Sequence, residues 1–373
     1  MSAIAKAQLG IICTAEDFER SLNDTTIRCL TRGESIGLTI VSEAGLLSLL
    51  AVSYVYAIIL RNIAWRIRNL HRDKLRVFHQ PMDLLMFSLF TADLLQAIGA
   101  VLDIKWVHDG KVEVGTFCDA QGIIQQLGET GVGITTLLIS IYTFLGIWIG
   151  RNIRSLRKTA YVMTAAWSFI IFMVVLGNEL NEGPGKHYES PTPYWCWIGP
   201  GYLQWRIWGE YVWFWITLVV SFVLYLPLYL WSRGNIKIDD EIWWKFRFQR
   251  VDPLADPALK GGRYRALIML AYPLVYCISI LPLSVVRWIT FVHPNSVSGT
   301  ATFAIVSIYG LSGACNAVLL LTTRPESELF SKPTLYAAGR APSPLGAYSI
   351  QNDFDRSGST DVEVELGRLP SRS

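Results

Sequence analysis

Charge is scarce in this chain, and unevenly so. Only 17% of its 373 residues are Asp, Glu, Lys or Arg, against 51% hydrophobic residues and 14 Trp. A soluble globular chain carries about 25% charged residues. The deficit falls in a series of apolar blocks, and the charges collect between them. Such blocks suit a bilayer rather than a large water-soluble core. A cleavable leader is missing too, because Lys6, Glu16, Asp17, Glu19 and Arg20 interrupt any apolar core in the first 34 residues. The first spanning segment is then its own insertion signal. Histidine is rare, and His71, His79, His108, His187 and His293 all fall between the apolar blocks. That argues against an intramembrane zinc hydrolase or a receptor of the inverted seven-helix type. Residues 301–323 hold no lysine, which excludes a retinal Schiff base in the last block. No internal repeat is visible, where transporters usually show one. A multi-spanning transporter of a small polar solute nevertheless stays as the alternative function. No motif calls for a cofactor, a metal, catalysis or nucleic acid.

What is present is seven segments long enough to cross about 30 Å of hydrocarbon. They run over 36–60, 82–104, 118–149, 159–179, 209–231, 266–291 and 301–323. The fold class is therefore all-α, a seven-transmembrane-helix bundle over 36–325. Orientation follows from Lys and Arg in short loops. Arg61, Arg66, Arg68, Arg72, Lys74 and Arg76 lie in 61–81, Arg151, Arg154, Arg157 and Lys158 in 150–158, and eight more in 233–265. The alternate loops are sparser, with Lys105, Lys111, Lys186 and Arg206. The basic loops belong in the cytoplasm, which places the N-terminal tail (1–35) outside and the C-terminus inside. Asn23-Asp24-Thr25 is the one glycosylation sequon, and it falls in the outer tail. Residues 326–373 turn polar and read as a disordered cytoplasmic tail.

The topology sorts the cysteines. Cys118 tops the third helix and Cys196 lies in the loop between helices four and five, both facing an oxidising compartment. A Cys118–Cys196 bond is expected, stabilising by about 4 kcal/mol in the chain-entropy picture. Cys13 and Cys29 share the outer tail and are candidates to pair. Cys277 and Cys315 read as small apolar residues within helices six and seven.

Several stretches carry a resemblance: "FCDAQGIIQQLGETG" (117–131), "YWCWIGPGYLQWRIWGEYVWFW" (194–215), "LYLPLYLWSRG" (224–234), "YPLVYCISILPLSVVRW" (272–288) and "LSGACNAVLLLTTRP" (311–325). With seven helices and a cysteine on helix three matched by one in the second outer loop, the chain resembles the G-protein-coupled receptors. Within them it is similar to the fungal glucose- and nutrient-sensing receptors, and more distantly to slime-mould cyclic-AMP receptors. The resemblance covers about 35–325. It implies a plasma-membrane receptor coupled to a heterotrimeric G-protein α subunit and, through adenylate cyclase, to cyclic AMP. It leaves the ligand open. Helix three ends "TFLGIWIGR" without Asp-Arg-Tyr, and helix seven lacks Asn-Pro-x-x-Tyr, so those two activation switches are not carried over.

Ionisable groups inside a membrane are candidates for function. Asp93 in "LFTADLLQA" resembles the Leu-x-x-x-Asp pattern of many receptors, which implies a hydration or sodium site. Ser312 and Asn316 on helix seven are its expected partners, in a polar switch or a plain buried hydrogen bond. On helix three, Gln121, Gln125 and Glu129 recur every four residues and share a face. Glu129 lies about 16 Å below the outer end. Arg206, Glu210 and Arg287 approach the same outer half. These groups, with Trp195, Trp197, Trp213 and Trp288, are the expected lining for a small polar ligand such as a sugar. Trp is also enriched at membrane interfaces whatever the function, and Glu210 with Arg287 equally suits a structural pair. Gly122, Gly128, Gly131 and Gly133 on helix three suit close helix packing.

On the inner side, "IDDEIWWKFRFQRVD" places Ile238, Ile242 and Phe246 at helical spacing. An amphipathic helix at the lipid surface is expected there. Arg151, Arg154, Lys245 and Arg247 are the candidate G-protein-facing residues. Pro227, Pro273 and Pro282 favour kinks in helices five and six.

Overall fold

Every apolar block becomes a helix long enough to cross a bilayer. In the computed structural model the spans are Arg32–Asn69, Pro81–Asp109, Thr116–Gly146, Leu156–Asn181, Pro200–Trp231, Leu274–Val292 and Gly299–Thr322. The structure describes residues 10–69, 78, 80–148, 155–181, 183, 185–232, 235–238, 246–248, 271–293 and 296–323. The expected C-terminal tail lies outside the described residues. The rim of the bundle is apolar, with Leu50, Phe172 and Phe222 about three-fifths exposed. Polar side chains turn inward instead: Ser88 bonds Thr135, and Ser140 bonds Ser221. That inversion suits a lipid environment, where apolar burial gives no driving force and interhelical hydrogen bonds and close packing hold helices together.

The third helix sits at the centre, between the second and the fifth. Gly128 lets it approach the second helix backbone to backbone: a Cβ there would lie 2.8 Å from Gln96 Cα. The second helix starts on Pro81, behind Gln80 and Asp83 in a capping box. It jogs at Leu102 before a last segment, Asp103–Asp109, closed by Gly110 in the left-handed region at φ 68°.

Two spans depart from regular geometry. The seventh is split into Gly299–Gly310 and Ser312–Thr323. The buried Ser48 hydroxyl of the first helix donates to Gly310 O at 2.6 Å and accepts from Ala314 N at 3.1 Å. It thus sits inside the hydrogen bond that these two groups would otherwise make, a known cause of kinking. The fifth span opens with a π turn over Ile207–Tyr211 before the regular helix Val212–Ser232.

Among the described residues, three two-stranded antiparallel ribbons complete the fold. They pair β1 (Ile27–Cys29) with β2 (Lys111–Glu113), β3 (Glu189–Pro191) with β4 (Cys196–Ile198), and β5 (Ile236–Ile238) with β6 (Phe246–Phe248). The last corrects the expectation of an amphipathic helix. Ile236-Lys237-Ile238 and Phe246-Arg247-Phe248 alternate with period two, the strand signal, and Ile236 is buried against Trp148 and Leu228. Residues 239–245 lie outside the described residues.

The N-terminal tail is folded from residue 10 onward. A helix, Ala15–Asn23, starts on Thr14, whose side chain accepts from Asp17 N. Cys13 and Cys29 form the second of two disulfides, alongside Cys118–Cys196. β1 lies on β2 of the loop between helices two and three, and Lys111 bridges Asp17 at 3.1 Å and Glu113 at 3.0 Å. Hydrogen bonds from Thr14 and Lys111 hold the Asp17 carboxyl below the ordinary carboxylate range. Burial pulls Lys111 down, but its bonds to Glu113 and Asp17 outweigh this and raise it. A depressed carboxyl stabilises fully above the ordinary range and loses that contribution as pH falls through its folded value. A raised ammonium loses its contribution only at strongly alkaline pH. The cap should therefore loosen on acidification. Hydrogen-exchange protection of the β1–β2 amides is expected to fall as the pH drops below about 4, the ordinary Asp value, and Asp17→Asn to flatten that dependence. An unchanged fall in the variant would contradict the assignment.

Candidate functional site

At the end of the bundle that carries the disulfides, the helices enclose a cavity of about 30 Å³. A water needs about 10–15 Å³ on this measure, so two or three fit. Val41 of helix one, Gln96, Ala100 and Asp103 of helix two, Gln125 and Glu129 of helix three, and Glu210 and Tyr211 of helix five line it. Leu283 and Arg287 of helix six and Val306, Tyr309 and Gly310 of helix seven complete the walls. The roof is Trp195 and Trp197, on either side of the cysteine that bonds helix three.

That roof is rigid for reasons visible residue by residue. Glu189 of β3 is fully buried and bonded by Gln126 Nε2. Gly122 leaves room for the Glu189 side chain, since a Cβ there would collide with it. Thr192 N donates to Trp195 O and Gly199 N to Tyr188 O, closing the hairpin at both ends. Tyr194 packs at a tilt against Phe303 and lies under Arg28, which ties the roof to helix seven and to the N-terminal cap.

Inside, the polar groups converge. The Glu129 and Glu210 carboxyl groups stand side by side in its wall, from helices three and five. Trp197 Nε1 donates to Glu210 Oε2 at 3.1 Å. The Arg287 guanidinium lies 4.6 Å from the Trp195 ring centre and 5.4 Å from that of Trp197, a cation–π arrangement. It forms neither a hydrogen bond nor an ion pair of 4 Å or less with Glu210 among the described residues. Gln96 Oε1 and Gln125 Oε1 are buried and have no hydrogen-bond partner. The Gln96 amide is oriented by its Nε2, which donates to Tyr309 O.

The sequence-predicted residues divide. Gln125, Glu129, Trp195, Trp197, Glu210 and Arg287 all meet at the cavity. Gln121 shares their helix face but is fully buried beneath the roof, with its amide saturated. Its Oε1 accepts from Trp106 Nε1 at 2.6 Å and Cys196 N at 3.2 Å, and its Nε2 donates to Asp103 Oδ1 at 2.7 Å and Gly99 O at 3.3 Å. Four bonds use up an amide's capacity, so Gln121 braces the site and has nothing left for a ligand. Arg206 is likewise a brace. Two of its nitrogens donate to Ile198 O, and it stacks on Trp197 and Phe291. Trp213 and Trp288 lie away from the cavity. Trp213 packs on Phe169 of helix four and donates to Trp208 O, while Trp288 is 47% exposed on the rim. The π turn supplies the reason at Trp213. One extra residue rotates Glu210 inward and carries the next residues around with it.

Gln96, Asp103 and Tyr309 were missed. A signal existed for two of them: Asp93, Gln96, Ala100 and Asp103 recur at helical spacing on one face of helix two. Deeper in the bundle, Asn316 Nδ2 donates to Asp93 Oδ2 at 3.0 Å. Beside them lies a second cavity of about 10 Å³, lined among others by Tyr276, Ser312 and Asn316. Tyr309 borders both cavities. Of the candidate G-protein-facing residues, Arg151, Arg154 and Lys245 lie outside the described residues, and Arg247 is exposed on β6. Asn23 is exposed at the end of its helix. Comparison with protein-family models and with curated proteins finds no match to this chain.

Proposed function

We propose that the chain is a G-protein-coupled receptor of the plasma membrane that detects a small polar extracellular ligand. In this reading the disulfide end faces outward and the basic loops face the cytoplasm. The partner is a heterotrimeric G-protein α subunit, and the output is adenylate cyclase and cyclic AMP. One observation carries the reading: a charged, aromatic-roofed cavity lies under a disulfide-anchored loop and shares Tyr309 with a second cavity lined by Ser312 and by Asn316, the partner of Asp93. A ligand at the first can thus bias the packing at the second. The cavity at about 30 Å³ is far smaller than a sugar, so binding must push helices or the roof apart. Coupling of occupancy to bundle shape follows from that misfit. The break at Leu311, the π turn and Pro227 and Pro282 inside helices five and six supply places where the bundle bends at low cost.

The broken seventh helix also suits a transporter, whose solute sites use discontinuous helices. Nucleotide exchange on a purified Gα subunit, set against glucose uptake in cells expressing the chain, separates the two. Ligand-stimulated exchange without uptake is expected. Glu129→Ala and Gln125→Ala should abolish ligand-evoked cyclic-AMP changes while surface expression persists. Uptake without exchange would replace the receptor by the transporter.

A further inference from the structure

The cavity joins opposite charges that do not neutralise each other by contact. Arg287 offers a guanidinium fork that hydrogen-bonds no described residue and lies over two indole rings. Across from it stand the paired carboxyls Glu129 and Glu210, and the unpartnered oxygens Gln96 Oε1 and Gln125 Oε1, both side chains more than nine-tenths buried. One wall therefore lacks an acceptor for its donors, and the other lacks donors for its acceptors. Buried groups in that state are costly unless something completes them. The cavity has room for two or three waters to do so.

A neutral polyol such as glucose would satisfy the amide oxygens but give the Arg287 fork no charged acceptor and the glutamates no charged donor. A metal ion does not fit either: among the described residues no three carboxylate, imidazole or thiol groups converge to hold one. We infer that the cavity takes a small zwitterion, an α-amino acid or close analogue. Its carboxylate sits on the Arg287 fork, and its ammonium faces Gln96 Oε1, Gln125 Oε1 and the Glu129–Glu210 pair. The fork matches a carboxylate bidentately, and an ammonium's three donors match the acceptor set. Trp195, Trp197 and Tyr211 provide the apolar wall for the carbon skeleton. The inference rests on the receptor reading only for its output; the binding chemistry stands on the cavity.

The test is thermal unfolding of the full-length protein in lipid nanodiscs with each of the twenty L-amino acids and with D-glucose. At least one amino acid should raise the melting temperature. For each that does, the matching amine without the carboxylate and the matching acid without the ammonium should bind roughly 10- to 100-fold more weakly, as loss of a charged hydrogen bond implies. Arg287→Lys keeps the charge and loses the fork, so it should weaken the amino acid about tenfold or more, the shift being read against the variant's own unliganded melting temperature. Stabilisation by glucose alone, equal binding of the amine and the amino acid, or no shift with any compound would overturn the assignment. Binding needs no G protein. An amino acid that binds yet never stimulates exchange overturns the receptor reading alone, and exchange evoked by glucose alone overturns the zwitterion alone.

Discussion

Gln121→Leu is expected to leave little of the chain folded. Four buried groups lose their partner at once: Trp106 Nε1, Cys196 N, Gly99 O and the Asp103 carboxyl. Each unsatisfied group costs about 1–3 kcal/mol, and more where it is charged. Water cannot replace the amide, because Gln121 is fully buried and Trp106 and Asp103 are each 1% exposed. A loss above about 4 kcal/mol is therefore expected, a large share of the 5–15 kcal/mol that holds a typical fold. Gln125→Leu, one helical turn below, is the matched control. Its Oε1 has no partner, so replacing it removes an unpaired acceptor and should change stability by no more than about 1 kcal/mol. Thermal melts of both variants in detergent, read by size-exclusion fluorescence, provide the comparison. Equal melting of the two would mean that Gln121 does not brace the roof.

That contrast shows where a sequence stops being readable. Period four placed Gln121, Gln125 and Glu129 on one face, and they are on one face. Which of the three is spent on structure depends on Trp106 and Asp103, and these reach Gln121 only because helix two jogs at Leu102. The spans themselves were legible, since apolar length is a direct physical requirement of the bilayer. Cys118–Cys196 was legible as well, from compartment and loop position, whereas Cys13 and Cys29 were only candidates to pair. The π turn at Ile207–Tyr211 and the Ser48 hydroxyl in the seventh helix were not. Each is a contact or a one-residue irregularity set by neighbouring helices, and no local pattern encodes it. The folded cap was hidden for a related reason. Its core is small, formed by residues such as Phe18, Ile27 and Leu30, and its stability comes from a disulfide and from pairing with a strand some eighty residues away. The β5–β6 segment carries both signals: Ile238, Ile242 and Phe246 match an i, i+4 spacing, while Ile236–Ile238 and Phe246–Phe248 alternate with period two, and the chain follows the second.

Gly128→Ala should disrupt the bundle more than any other single methyl group on helix three. An added Cβ would lie 2.8 Å from Gln96 Cα and 3.0 Å from the Leu95 carbonyl carbon. The obstacle is the backbone of another helix, which has no rotamer to change. Helices two and three would have to separate, and with them would go Gln96, Gln125 and the jog that carries Asp103 to Gln121. Overpacking costs about 1–3 kcal/mol where side chains can yield, so a loss at or above about 3 kcal/mol is expected where they cannot. Gly146, at the far end of the same span, has nothing within 4 Å of its would-be Cβ. There alanine should be neutral or stabilising by about 0.5–1 kcal/mol, as expected for Gly→Ala within a helix. The same methyl group on the same helix thus has opposite expected effects, and the difference isolates close approach from helix propensity. Melting temperatures of the two variants in one detergent measure it directly. If Gly128→Ala melts with the parent protein, helices two and three are farther apart than this packing places them, and the cavity between them is correspondingly wider.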